Sequence, residues 1–242
     1  MKKKITNGHT NTSYKEGDFF LQEKKLNKFN HKIDYEILKE FDFIPKLIYQ
    51  TDKENKWEFI YGSIPEINDS TLIKIADSIK QVHNSKITFP PFNISARIKE
   101  YRKILWEKGI KIPIIHDYYK RINYILKNQD KNTPIHGDIW DQNLIEDKYG
   151  KIFIVDWEYA HMGDKNFELA YIIESLKLSD EQETIFLEQY DDYNYQFLKN
   201  HKELVNYLII LWNNSQTIKY FEDDEFIKKL EKFKFERENK NV

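Results

Sequence analysis

Cysteine is absent from the 242 residues, which excludes disulfides, a thiol nucleophile and a cysteine-based zinc site, so the chemistry of this chain rests on its carboxylates. Excess positive charge is missing too. With 38 Lys and Arg against 40 Asp and Glu the formal net charge is -2, which provides no basic field for nucleic acid, and the Lys and Glu runs read as solvated helix faces. Long apolar runs are also lacking: the longest, residues 204–212, is interrupted by Asn206 and is too short to cross a bilayer. The start, Met1-Lys2-Lys3-Lys4 and then Thr6-Asn7-Gly8-His9, has no apolar stretch of the kind a signal peptide needs. These absences predict a cytoplasmic chain without membrane insertion. No internal repeat or low-complexity linker divides it, and its length suffices for one compact unit with a sizeable core.

What is present centres on His136-Gly137-Asp138-Ile139-Trp140-Asp141-Gln142-Asn143, followed by Asp156-Trp157-Glu158. Asp138 and Asn143 have the spacing by which a kinase catalytic loop holds a substrate hydroxyl and a metal ion on one short turn. Leu144-Ile145 and Ile152-Phe153-Ile154-Val155 are short β-rich runs, and Asp147-Lys148-Tyr149-Gly150 between them is a turn cluster. A hairpin returns its ends to one place, so Asn143 entering it and Asp156 leaving it come together beside Asp138. Two such oxygen donors suit Mg²⁺, which takes one or two protein ligands plus nucleotide phosphates. His136 is expected to brace the loop by hydrogen bonds and not to act as the base.

The segment 136–143, the run Ile154-Val155-Asp156-Trp157-Glu158-Tyr159-Ala160, and Gly163-Asp164 with Phe167-Glu168-Leu169-Ala170 closely resemble the choline/ethanolamine kinase branch of the aminoglycoside-phosphotransferase-like kinases, nearest the bacterial choline kinases. The resemblance extends more weakly over nearly the whole chain. It implies an α+β, two-lobed protein-kinase-like fold: a small antiparallel sheet lobe over residues 1–62, a mainly helical lobe over 63–242, and ATP between them.

In the first lobe, Thr6-Asn7-Gly8-His9-Thr10-Asn11-Thr12-Ser13-Tyr14 resembles the family's phosphate-covering loop, which places Gly8, Thr10 and Asn11 at the nucleotide. The strand Asp18-Phe19-Phe20-Leu21-Gln22 puts Gln22 where the family has a basic residue. Lys24, on the same face by the period of two, is one replacement; the other is a larger share of the load on metal and backbone. Glu36, in an expected helix over 32–40, stands where the family's orienting glutamate lies, and reads equally well as a solvated helix face. Further strands are expected over 41–49 and 57–61, with a turn at 51–56, and the resemblance places the backbone near Phe59 and Tyr61 at the adenine.

The rest reads as helical. Ser70 is the expected N-cap of a helix over 71–83, where Leu72, Ile75, Ala76, Ile79 and Val82 repeat at helical spacing and His83 is a packing or capping residue. Further helices are expected over 95–108, 117–127, 166–176, 180–190, 195–219 and 224–235.

A quaternary ammonium cannot donate a hydrogen bond, so its site needs aromatic faces and a carboxylate. By resemblance, Tyr159, Glu174 and Trp212 occupy choline-contacting positions, although Tyr159 and Trp212 suit ordinary core packing as well. The expected reaction is transfer of the ATP γ-phosphoryl group to the hydroxyl of a small cationic alcohol, choline first, with Asp138 accepting the hydroxyl hydrogen. Ethanolamine, thiamine and aminoglycosides are alternatives within the fold, and a pseudokinase is the alternative outside catalysis. An aminoglycoside site would draw the acidic runs Asp191-Asp192 and Glu222-Asp223-Asp224-Glu225 towards Asp138.

Overall fold

The computed structural model describes residues 2–5 and 10–239, so Gly8 of the expected phosphate-covering loop lies outside the described residues. An antiparallel sheet comes first, from β1 (Lys2–Ile5), β2 (Thr12–Glu16), β3 (Phe19–Glu23), β4 (Leu47–Gln50) and β5 (Glu54–Glu58), in the order β1-β2-β3-β5-β4. Register pairs Gln22 with Ser13 on one side and Asn55 on the other, and Phe20 with Trp57. The pleat sends these partners to one face, the face that roofs the cavity described below.

A two-residue strand, β6 (Gly62–Ser63), leads out of this sheet. The helical part follows as α1 (Asp69–His83), α2 (Ile94–Glu107), α3 (Pro113–Asp117), α4 (Tyr119–Asn128), β7 (Thr133–Ile135), β8 (Leu144–Asp147), β9 (Ile152–Ile154), β10 (His161–Gly163), α5 (Lys165–Ser175), α6 (Asp180–Tyr190), α7 (Tyr195–Ser215) and α8 (Asp224–Asn239). Strands β8 and β9 form the expected hairpin. β6 pairs with β8, so the expected lobe boundary at 62 falls inside a strand that belongs with the hairpin. A side chain on Gly62 would place its Cβ 2.2 Å from the Glu146 carbonyl oxygen, and this close approach requires glycine.

The core is one continuous cluster in which α5 packs on α7 and α1 on α6. Leu72, Ile75, Ala76, Ile79 and Val82 of α1 are all buried, as their spacing predicts, each large side chain contributing about 1.5 to 3 kcal/mol. The cap of α1 differs from expectation. Asn68, not Ser70, accepts the Thr71 N–H, because its side chain is an equally good cap and lies two residues earlier.

Residues 32–40 form only a 3₁₀ turn, Tyr35–Glu40, capped by Asp34. Of 41–49 only the end is strand, because Phe41, Phe43 and Ile44 plug the core and the Phe43 carbonyl accepts the Ile154 N–H at 2.9 Å. The strand expected at 57–61 begins earlier, at Glu54, since the turn before it closes within Thr51 to Glu54. Residues 117–127 split at Tyr118, α7 ends at Ser215, and α8 runs on to Asn239.

Candidate active site

The loop between β7 and β8 is held from beneath. Buried His136 donates from Nε2 to the Val155 carbonyl at 2.9 Å and accepts the Asp138 N–H on Nδ1 at 3.2 Å, so its ring is the neutral Nε2–H form; burial lowers its basicity. The Gly137 N–H donates to Glu168 Oε1 at 2.7 Å, Glu168 Oε2 accepts from His83 Nε2 at 2.8 Å, and His83 Nδ1 pairs with the Tyr190 hydroxyl at 2.8 Å. His83 is therefore a packing residue, as expected, in a chain that ties the loop to α5, α1 and α6. Gly137 sits at φ +79°, and a Cβ there would meet His161 Cε1 at 2.9 Å.

Asp138 emerges from this base into a cavity of about 740 Å³ between the sheet and the helices. Burial raises its carboxyl above the usual range, while the Tyr171 hydroxyl, donating to Oδ1 at 2.6 Å, and the Arg97 charge pull it down. Asn143 donates from Nδ2 to the Asp138 carbonyl at 2.8 Å, which leaves its amide oxygen for the cavity. Asp156 follows β9 in the left-handed region, φ 62°, a conformation that aspartate tolerates better than most residues. Burial, then the Glu158 and Asp138 charges, push its carboxyl well up.

Glu158 is buried beside it. Its Oε2 accepts from Asn11 Nδ2 at 2.8 Å, Asn30 Nδ2 at 3.1 Å and His31 Nε2 at 2.9 Å. Burial alone would raise this carboxyl, but the bonds from His31, Asn11 and Thr10 hold it below the usual range. Asn11 is thereby clamped across the two lobes, since its Oδ1 also accepts from the Lys25 N–H at 3.1 Å and contacts His31.

Of the expected nucleotide-side residues, Thr10, Asn11, Gln22 and Phe59 line the cavity. Gln22, not Lys24, faces it, with Nε2 donating to Asp156 Oδ1 at 3.0 Å. Lys24 lies beyond the end of β3 and is held by the Thr51 carbonyl at 2.6 Å. Glu36 pairs with Lys39 on the exposed face of the 3₁₀ turn and does not reach Gln22; the turn is too short to swing it inward. Tyr61 is exposed and donates to Asp18 at 2.7 Å, while its neighbours Ile60 and Gly62 line the cavity in its place.

On the acceptor side, Trp212 stacks on Tyr220 at 5.4 Å and Phe221 at 6.3 Å, and all three line the cavity with Tyr159 and Tyr171. Glu174 does not. Phe167, Tyr171 and Ser175 of α5 form the cavity stripe, and Glu174, off that stripe, pairs instead with Lys229 of α8 at 3.0 Å and Lys202 of α7 at 4.0 Å. The acidic runs do not converge on Asp138: Asp191 and Asp192 pair with Lys80 and Lys165, and Asp223 and Glu225 with Lys219 and Lys177.

Sequence reasoning missed Arg97 and the role of Tyr171. Tyr171 had a signal, one helical turn past Phe167 of the motif. Arg97 had none.

Comparison with known proteins agrees with this geometry. Residues 73–201 match the phosphotransferase enzyme family. A LicA homolog of Mycoplasma capricolum is 47% identical across 90% of the chain and 91% of the relative, and one of Metamycoplasma hominis 41% across 96% of both. The chain belongs to the phosphotransferase enzyme family. Among solved structures, LicA in complex with AMP has a TM-score of 0.75 at 19% identity, covering 96% of this chain and 90% of that one. The choline kinase LicA from Streptococcus pneumoniae has a TM-score of 0.72 at 20% identity, over 96% and 93%. Aminoglycoside phosphotransferase APH(2'')-Ib, ADP-bound, reaches 0.64 at 15%, over 96% and 91%. The phosphotransferase fold accounts for the cleft between a small antiparallel sheet and a helical lobe, with the β8–β9 hairpin at its base.

Proposed function

We propose that this phosphotransferase moves the γ-phosphoryl group of ATP to the hydroxyl of choline. The observation that carries the acceptor is the stacked wall of Trp212, Tyr220 and Phe221 in the same cavity as Asp138, whose lining includes neither of the acidic runs at 191–192 and 222–225. Aromatic faces bind a quaternary ammonium at about 0.5 to 2 kcal/mol each. The structural neighbour that is a choline kinase, LicA from Streptococcus pneumoniae, points the same way, and no helix among the described residues is long and apolar enough to cross a membrane.

The donor set fits Mg²⁺. Among the described residues no cluster of three or more His, Cys, Asp or Glu forms a metal cage, but Asn143 and Asp156 offer two hard oxygens, enough for an ion completed by phosphates and water. The raised Asp156 carboxyl, crowded by Glu158 and Asp138, is what a neighbouring divalent charge would relieve. Magnesium bound there supplies charge neutralisation at the phosphates.

The remaining work belongs to the chain. Thr10, Asn11 and Gln22 lie on the phosphate side and Phe59 near the adenine. Asp138, ionised with help from Tyr171 and Arg97, accepts the acceptor hydroxyl hydrogen and aims the oxygen in line. In a loose transition state this positioning matters more than strong basicity. Trp212 and its stacked partners hold the cationic end, and Tyr159 closes the chamber beside Arg97.

The test is ADP release with Mg-ATP and choline, ethanolamine, thiamine or kanamycin, run beside Asp138→Asn. Choline-dependent turnover that falls about 10²- to 10⁴-fold in the variant, with ATP still bound, is the expected result. Turnover with a different acceptor would discard choline. Silence across the panel would make the protein a nucleotide-binding pseudokinase.

A further inference from the structure

The acceptor side of the cavity contains a cation that the reaction as described needs only in passing. Arg97, on α2, lies with its guanidinium 4.4 Å from the Tyr159 ring centroid, and its Nε donates to the Tyr101 hydroxyl at 2.7 Å. The Tyr159 hydroxyl stays protonated, because burial and the nearby Glu158 and Asp138 carboxylates raise it even with Arg97 opposing. Burial disfavours the Arg97 charge, but Tyr101, Tyr159 and Asp138 outweigh it, and guanidinium stays charged throughout the working range. Asp138 is the carboxylate Arg97 feels, and its free charge is committed to the acceptor hydroxyl. The other cation lining the cavity among the described residues, Lys177, sits at the exposed rim 2.6 Å from Glu225 and is largely screened.

Two consequences follow. One face of Tyr159 is already occupied by a cation, so an acceptor ammonium is left the Trp212, Tyr220 and Phe221 wall. A second ammonium that approached Arg97 would be repelled in a chamber of reduced dielectric, with Asp138 already engaged. We propose that Arg97 is a specificity-determining residue that restricts the acceptor to a single positive charge, excluding dicationic and polycationic alcohols by repulsion. The inference rests on the choline reading above and adds to it the element that rejects wrong substrates.

The test uses two choline derivatives of matched shape. In one, an N-methyl group is replaced by a trimethylammonioethyl arm, a permanent dication; in the other, by the isosteric, uncharged 3,3-dimethylbutyl arm. The ratio of their kcat/KM values cancels size and any general loss of activity within each variant. The wild type is expected to favour the single charge by about tenfold or more, as like-charge juxtaposition across an interface requires. Arg97→Gln should bring the ratio towards one, and Arg97→Lys should keep it. A wild-type ratio near one, or a ratio unchanged in Arg97→Gln, overturns the proposal while choline turnover stands. Absence of turnover with choline itself overturns the parent reading, and this inference with it.

Discussion

Replacing Tyr171 by Phe removes one hydroxyl and leaves the ring packed near Phe167, so it isolates a single bond, the 2.6 Å donation to Asp138 Oδ1. Asp138 is caught between burial, which favours the protonated acid, and Tyr171 with Arg97, which favour the carboxylate. A hydrogen bond to a charged group contributes about 1.5 to 3 kcal/mol, which caps the loss of kcat/KM at about 10- to 150-fold. The sign of the pH dependence follows. Without Tyr171 the carboxyl titrates at still higher pH, the ionised fraction falls at any lower pH, and activity is lost as pH drops through that titration. The acid limb of the kcat/KM profile should therefore move to higher pH, and the gap from wild type should narrow as pH rises. Asp138→Asn, by contrast, should lose activity at every pH. The assay is kcat/KM for choline across the acid and neutral range for wild type and Tyr171→Phe. A loss of equal size at every pH, or an unmoved acid limb, would refute the claim that Tyr171 keeps Asp138 ionised.

Trp212→Ala should raise the KM for choline by about 2- to 30-fold, the worth of one cation–π contact, with the KM for ATP unchanged; equal changes in both would return Trp212 to the ordinary core. Glu174→Gln should leave the choline KM within about twofold while lowering stability by about 1 to 3 kcal/mol in urea unfolding, because it breaks the ties to Lys229 and Lys202. Asp164 carries a pH-dependent share of stability. Burial would raise its carboxyl, but His201 at 3.0 Å and the Asp130 and Asn166 N–H groups bring it down to about 2, so stability present above the ordinary value of 3.8 is lost as pH falls towards 2. The difference amounts to about 2 kcal/mol, and urea unfolding of Asp164→Asn should show a flatter acid dependence than wild type by that amount.

The juxtaposition of Asp138, Asn143 and Asp156 was legible in the sequence because its geometry is local. Asp138, Asn143 and Asp156 lie on one loop and one hairpin, and hairpin closure is dictated by the turn residues between them. Cavity-facing residues on helices were harder to read. Glu174 has the charge and the burial expected of a ligand-binding carboxylate, yet it sits off the stripe of Phe167, Tyr171 and Ser175, and only the positions of α7 and α8 reveal that its partners are lysines. Glu36 failed for a related reason, because the segment that carries it makes a 3₁₀ turn where a longer helix was expected. Arg97 was invisible, since its function depends on α2 meeting the Asp156 to Tyr159 segment, and no local pattern records that meeting.

Gln22 is the point at which chemistry and architecture meet. A lysine there, at the same reach, would form an ion pair with Asp156 and neutralise the carboxylate that the proposed metal needs. The amide donates a neutral hydrogen bond to Oδ1 and fixes the side chain while leaving its charge in place. Burial and the nearby Glu158 and Asp138 charges then make ionised Asp156 costly without a counterion. Glu158 contributes to that cost while also holding Asn11, so the residue that sharpens the need for a cation also anchors the chain just before β2. On this reading a basic residue at position 22 is dispensable because the clustered carboxylates draw the neutralising charge from the metal, and the acceptor-side cation, Arg97, acts on Asp138 and on the choice of acceptor.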